Sequence, residues 1–257
     1  MVAAYGRWDQ SPVYRDVAVI SIVMPAHNEA GYLDDAVASV VESLRSRPRP
    51  FEVLICENGS NDGTQALAKR LEGEYPEVRA LSLPAPDYGA ALRAGFLAAT
   101  GDLVANFDVD YVDMGFLDRA AQLMDDRPEI TIVVGSKRGP GANDTRGPGR
   151  RLVTAAFSIV LRRGFGLGVS DTHGMKVLRK APLEPVVNAC RFGADLFDTE
   201  LVLRAERAGL AVTELPVTVE EHRPSRTPII RRIPRTIKGL LRLRVMLARE
   251  KPGRSGP

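Results

Sequence analysis

From residue 17 to residue 135 the chain alternates short, β-branched apolar runs with stretches of helical period. That alternation limits the fold more than any other feature of the sequence. The runs "VAVISIVM" (17–24), "FEVLICE" (51–57), "VRALSL" (78–83), "DLVANFD" (102–108) and "ITIVVG" (130–135) predict strands. Between the first two, Leu33, Ala36, Val37, Val40, Val41 and Leu44 recur at the spacing of one helix face. Asn61 or Asp62 is placed to cap a second helix, and residues 89–100 and 115–126 predict two more. A β-α-β-α order of this kind predicts an α/β domain with a mainly parallel central sheet and helices on both faces.

The segment 138–151, "RGPGANDTRGPGRR", interrupts the pattern with four glycines, two prolines and four arginines. It predicts a loop, either a plain connection or a lid beside a site. Beyond it, 152–163 and 198–209 predict helices, "MKVL" a strand and 211–219 a last strand.

Polar residues gather where strands end. The first strand runs into Pro25, Ala26, His27, Asn28 and Glu29, and the second into Glu57, Asn58, Gly59, Ser60, Asn61 and Asp62. The fourth runs into "NFDVDYVD", which places Asp108, Asp110 and Asp113 within six positions. In open parallel sheets, ligands bind beyond the carboxyl ends of the strands. Asp108 and Asp110, two apart in an extended segment, would point the same way and could share a hard divalent cation with a diphosphate. Each group also has a plain reading: Asn58-Gly59 as a turn, Asp62 as a cap, Glu29 as a first-turn acid favoured by the helix dipole, the aspartates as a solvated turn.

The charge is uneven. Residues 223–257 hold 11 Lys and Arg against 1 acid, whereas residues 1–222 hold 24 against 31. From Pro234 onward, Ile237, Leu240, Leu241, Val245 and Ala248 share one helical face, and Arg235, Lys238, Arg242 and Arg249 another; Arg244 intrudes on the apolar side. Such a segment could lie on an anionic membrane or pack on its own domain. Nucleic acid is not expected as a partner, because the segment lacks stacking aromatics. Cys56 and Cys190 are far apart, which fits a reducing, cytoplasmic compartment, with peripheral membrane contact as the variant. The start lacks signal-peptide character, and no run approaches the roughly 18 apolar residues of a membrane span. Three parts are expected: an N-terminal extension (1–16), the α/β domain (17–222) and the basic amphipathic segment (223–257).

Pro25-Ala-His-Asn28-Glu29, Glu57-Asn-Gly-Ser-Asn-Asp62-Gly-Thr and Asp108-Val-Asp110, in that order, resemble the motifs of family-2 glycosyltransferases. "SDTHGMKVLRK" (170–180) and "LFDTELVLRAERAGLAVTELPV" (196–217) are similar to segments of polyprenyl- and dolichyl-phosphate sugar synthases. The resemblance implies a GT-A fold with a Rossmann-like nucleotide-binding half and an inverting transfer from a nucleoside diphosphate sugar. It implies a donor site of Pro25, Ala26, Asn28, Glu29, Glu57, Asn58, Gly59, Asp62, Gly89 and Asp108. Glu29 would lie at base or ribose, Glu57 at the base, Asp108 near ribose and sugar, and Asp110, with Asp108, at Mg²⁺ or Mn²⁺. Asp198 and Asp171 are the leading catalytic candidates, with Glu200 beside them and His173 as either a substrate-binding residue or a simple polar wall residue. Arg138, Arg223 and Arg226 match cations that would face phosphate. The sequence departs from the family at Glu57-Asn58, at Asp87-Tyr88-Gly89, where Tyr88 would stack or hydrogen-bond in place of a lysine, and at Tyr111-Val112-Asp113. A polyprenyl phosphate is the acceptor the resemblance favours. A soluble small-molecule acceptor and a non-catalytic nucleotide-sugar binding module are the alternatives.

Overall fold

The computed structural model describes residues 18–137, 143–144, 148–193, 196–219 and 229–250. Its centre is a seven-stranded sheet built from β1 (Ile20–Ala26), β2 (Phe51–Asn58), β3 (Val78–Leu83), β4 (Leu103–Asn106), β5 (Ile130–Ser136), β7 (Lys176–Arg179) and β8 (Ala211–Pro216). The strand order is β3-β2-β1-β4-β7-β5-β8. Every residue of β1 and β2 is buried, as their unbroken apolar runs require of strands covered on both faces. Neighbours pair in parallel except around β7, which runs antiparallel to β4 and β5.

Alternate β1 residues feed two cores. Ile20, Ile22 and Met24 pack with α1 (Leu33–Arg45), α2 (Thr64–Glu74) and α4 (Met114–Asp126) on one face. Val23 packs on the other with α3 (Tyr88–Ala98), α5 (Pro148–Phe165), α6 (Lys180–Ala189), α7 (Phe197–Arg207) and α8 (Ile229–Arg249). Helix α1 shows why the pattern reads so clearly. Leu33, Val37, Val40, Val41 and Leu44 are its buried residues, with Asp34 and Asp35 in the first turn and Arg45 in the last, each favoured by the helix dipole.

Several boundaries differ from the sequence expectation for local reasons. Helix α5 begins at Pro148, inside the expected loop, since proline suits a first helical turn whose N–H groups have no partner. The expected strand 211–219 divides at Pro216, which has no N–H to continue the ladder. Its remainder, β9 (Thr218–Val219), pairs instead with β6 (Asn143–Asp144). The cap position of α2 is Gly63, at φ +94°, rather than Asn61 or Asp62. Helix α8 buries Leu240, Leu243 and Leu247 in the second core, so the basic segment packs into the body. Among the described residues, no helix is long and apolar enough to cross a membrane.

Candidate active site

Strand order reverses between β1 and β4, and that switch point is where an open α/β sheet leaves a crevice. The loops after β1 and β2 border it and are stitched together by polar side chains. Asn28 stands at φ +56°, a conformation asparagine tolerates better than most residues. Its N–H donates to Ser60 Oγ (3.0 Å), and its Oδ1 accepts from Asn61 N–H (2.9 Å). His27 Nδ1 lies 2.9 Å from the Asn58 carbonyl, which can only accept, so that nitrogen carries the proton. Asn58 Nδ2 donates to the Ala26 carbonyl (3.2 Å), while Asn58 Oδ1 accepts from Asp87 N–H (3.1 Å). Asp62 accepts from Thr64 through Oδ1 and from Ala30 N–H through Oδ2. Burial pushes the Asp62 carboxyl up, but these hydrogen bonds outweigh it and hold the group below its ordinary value. Gly59, at φ +66°, lies so close to Ala85 that a Cβ would sit 2.8 Å from the Ala85 carbonyl carbon, so only glycine fits.

Glu57 takes part in the same cradle. Its Oε1 accepts from Ser60 N–H (2.6 Å) and its Oε2 from Ser82 Oγ (2.8 Å), and the residue is buried. Each carboxylate oxygen thus has a partner within the cradle that Glu57 helps to shape. Asn58 and Asp62 have the same architectural task, Pro25 and Ala26 lie within the buried end of β1, and Gly89 is buried in the first turn of α3. Glu29 sits half-buried just before α1, its N–H donated to Thr64 Oγ1 at 2.8 Å.

The aspartate motif adopts a tight turn, not the extended segment expected, because β4 ends at Asn106. Tyr111 N–H closes onto the Asp108 carbonyl at 3.0 Å. Two tyrosines brace the turn: Tyr88 Oη donates to Asp108 Oδ1 (2.9 Å) and Tyr111 Oη to the Thr218 carbonyl (2.5 Å). Asp108 is partly buried and Asp110 is exposed at the tip. Asp113 leaves the group to cap α4 through Phe116 N–H (2.8 Å). Burial raises the Asp108 carboxyl above its ordinary value, with the negative charges of Asp110 and Asp198 adding to it; the Tyr88 hydroxyl and the Lys137 ammonium pull the other way. Asp108, Asp110, Asp198, Tyr88 and Lys137 thus act on one another in one neighbourhood.

Asp198 opens α7 and is 4% exposed. Its Oδ1 receives the ammonium of Lys176 at 2.7 Å, and that lysine is 0% exposed. Lys176 also donates to the Gly174 carbonyl at 2.8 Å. Gly174 stands at φ +105°, a backbone conformation that favours glycine, and the end of Lys137 lies beside it, its ammonium 3.6 Å from where a Cβ would be. Asp171 is buried; its Oδ1 accepts from His173 N–H (3.0 Å), whereas Oδ2 has no hydrogen-bond partner. Glu214 holds this loop in place by accepting from Ser170 N–H (2.8 Å) and Asp171 N–H (3.0 Å). His173 meets Thr172 Oγ1 at 3.2 Å and packs in a T-shaped arrangement on Phe157, with ring centroids 5.4 Å apart.

Glu200 does not belong to the site. It is 0% exposed, accepts from Arg191 and Phe192 N–H through Oε2 (2.8 and 2.7 Å), and accepts from Arg204 Nε through Oε1 (2.8 Å). Two residues from Asp198 on a helix, it points elsewhere and fastens the 190–193 loop. Arg138, Arg223 and Arg226 lie outside the described residues. The cations that sequence reasoning passed over are Lys137 and Lys176. A lysine inside the strand "MKVL" was the available signal, since a buried ammonium demands a counter-charge. Among the described residues, no three or more His, Cys, Asp or Glu side chains converge on a cation. Asp110 and Asp108, two carboxylates on one turn, could hold a divalent cation shared with a diphosphate.

The family model described as glycosyl transferase family 2 matches residues 21–186. The glycosyltransferase AglD of Haloferax volcanii is 30% identical over 219 residues, covering 83% of this chain and 35% of that protein. This chain thus spans about a third of AglD. A dolichyl-phosphate beta-glucosyltransferase of Trichomonas vaginalis is 27% identical over 83% of this chain and 68% of its own length. An uncharacterized glycosyltransferase of Mycobacterium tuberculosis is 33% identical over 77% of this chain and 84% of its own. Among solved structures, glucosyl-3-phosphoglycerate synthase from Mycobacterium tuberculosis, in complex with Mn²⁺, UDP-glucose and phosphoglyceric acid, superposes with a TM-score of 0.66 at 21% identity, over 91% of this chain and 81% of that one. Mannosyl-3-phosphoglycerate synthase from Rubrobacter xylanophilus gives 0.63 at 16% identity, over 98% and 84%. These likenesses establish the GT-A fold.

Proposed function

This chain belongs to glycosyl transferase family 2, and from that premise we propose that it transfers a sugar, with inversion, from a nucleoside diphosphate sugar to a polyprenyl phosphate. The observation that carries the acceptor class is the pairing of Asp198 with Lys176. A hydroxyl acceptor needs a base to take its proton; Asp198 Oδ1 is held by an ammonium, which leaves Asp171 Oδ2 as the candidate base for that reading. A phosphate acceptor is an anion and needs none. It needs a cation to orient it, and Lys137 stands half-buried beside Asp108, closing no salt bridge within the described residues. Similarity to a dolichyl-phosphate beta-glucosyltransferase supports the same reading.

In the reaction, an acceptor phosphate oxygen forms a bond to the anomeric carbon. The bond from that carbon to the diphosphate breaks with its electron pair, and one displacement inverts the centre. The stitched loops after β1 and β2 hold the nucleoside end without rearrangement, which lowers the cost of binding. Tyr88 and Tyr111 fix the turn that presents Asp108 and Asp110. A divalent cation on those two carboxylates, Mg²⁺ or Mn²⁺, would neutralise charge on the departing diphosphate. Among the described residues, Asp171 Oδ2 is the buried carboxylate oxygen without a hydrogen-bond partner, and it would orient an acceptor.

A second reading has a specific support. The phosphoglycerate synthases share this fold, and one is seen with phosphoglyceric acid, a soluble acceptor that also bears phosphate. Lys137 would serve either. The donor half is tested by thermal denaturation with a panel of nucleoside diphosphates, with and without Mn²⁺. One diphosphate is expected to raise the midpoint, and more so with Mn²⁺, because a ligand present at 100 times its Kd adds about 2.7 kcal/mol. A panel in which none does so would remove the donor site.

A further inference from the structure

Helix α8 carries two apolar stripes, and among the described residues only one is buried in the core. Leu240, Leu243 and Leu247 are buried in the second core. Gly239 lies so close to Leu196 that a Cβ would stand 2.2 Å from Leu196 Cδ1. At its other end the helix is fastened by Arg204, which pairs with Glu250 at 2.7 Å, and by Arg207, which donates to the Leu247 carbonyl at 2.9 Å. The orientation of α8 is therefore fixed. Ile237, Leu241 and Val245 recur every fourth residue on its outer side and are 54%, 62% and 51% exposed. The sequence had grouped Leu240 with Leu241; the structure places them on opposite duties.

The exposed apolar residues are concentrated. Of the six large ones among the described residues, only Tyr32 lies outside α5 and α8; Ile159 and Val160 are on α5. The two helices meet where the Arg244 guanidinium comes within 3.7 Å of the Cβ position of Gly164. Lys238, Arg242, Arg244 and Arg249 are exposed around the α8 stripe, and Arg162 and Arg163 at the end of α5. Such a concentration marks an interaction surface rather than scatter.

We propose that the outer face of α8, with α5, seats the protein on an anionic lipid bilayer. Branched apolar side chains fit the acyl boundary, while flanking arginines and lysines reach phosphate head groups along their own apolar stems. Residues 223–257 hold 11 cations against 1 acid, so the field of that segment is attractive to such a surface. The inference rests on the lipid-phosphate reading of the acceptor and names the surface that would bring the protein to it.

The test is co-sedimentation of the full chain with vesicles of equal parts phosphatidylcholine and phosphatidylglycerol, beside vesicles of phosphatidylcholine alone. Binding to the anionic vesicles is expected to fall steeply with salt, since exposed charges are screened over about 8–10 Å near physiological ionic strength. Leu241→Ser with Val245→Ser should lower the bound fraction about tenfold at low salt, as loss of inserted apolar area requires. The melting midpoint should stay unchanged. Leu240→Ser is the counterpart: it should lower the midpoint through the core. No sedimentation of the unmodified chain at low salt would overturn the proposal. So would equal binding by the double variant, or a dimer that the double variant converts to monomer, which would make the stripe a self-association surface. Transfer to a polyprenyl phosphate in detergent is measured separately. Vesicle binding without transfer would sink the acceptor reading and leave this surface standing; transfer without vesicle binding would do the reverse.

Discussion

Asp110→Ala is expected to lower sugar transfer by at least roughly 10²–10³-fold, the loss seen when one preorganised group facing transition-state charge is removed, while leaving the fold intact. Asp110 is exposed at the tip of a turn whose shape is set by other groups: the Asp108–Tyr111 backbone bond, the Tyr88 hydroxyl on Asp108, and the Tyr111 hydroxyl on Thr218. Asp110 supplies none of these three braces, so its loss is expected to change stability far less than activity. Activity and stability should therefore separate. The same variant should lose the added thermal protection that Mn²⁺ gives with the nucleoside diphosphate, a readout that does not depend on turnover. Full activity in Asp110→Ala would remove the metal assignment.

Asp198→Ala should behave in the opposite way and strike stability as well as activity. It strands the Lys176 ammonium, which is wholly buried and, among the described residues, would retain only the Gly174 carbonyl as a hydrogen-bond partner. Breaking a buried pair from one side costs about 3–5 kcal/mol. For a domain of this size that lowers the melting midpoint by about 2–4 °C per kcal/mol. The double variant Lys176→Met with Asp198→Leu replaces the pair by apolar volume, and such replacements are often neutral or stabilising. It should recover most of the stability and none of the transfer. If Asp198→Ala melts with the parent, the pair is not holding this part of the molecule, and the argument that Asp198 is committed to Lys176 fails with it.

The residues that these variants probe were legible in the sequence to different degrees. The strands before residue 136 were legible because strands covered on both faces have few options: "FEVLICE" is buried throughout in β2. Helix α6 was not, since Pro182 and Pro185 argue against a helix over "KAPLEPVVNA". Pro182 falls in the first turn, where its missing N–H costs nothing, and burial of Leu183, Val186 and Val187 carries the rest. The reversal of β7 was equally hidden, because an alternation of strands and helices does not state direction.

In the site, the sequence located the aspartates and could not tell an acid that meets a ligand from one that meets its own backbone. Glu57, Asn58, Asp62 and Glu200 carry the residue types of a binding site, yet the structure engages them with N–H groups and carbonyls of the chain. Spacing alone does not separate these cases; the partner has to be seen. Tyr88 and Asp108 stand 20 positions apart on different elements, so their hydrogen bond has no local signature.

The central claim is that a nucleoside diphosphate sugar is the donor and a polyprenyl phosphate the acceptor. The direct measurement gives the purified chain the nucleotide sugar chosen by thermal denaturation, Mn²⁺ and a polyprenyl phosphate in detergent, and follows both products. The account predicts one nucleoside diphosphate released for each sugar joined to the lipid phosphate, with the anomeric configuration inverted. Nucleotide release with sugar appearing only in water or on phosphoglycerate, or no release at all, would contradict it.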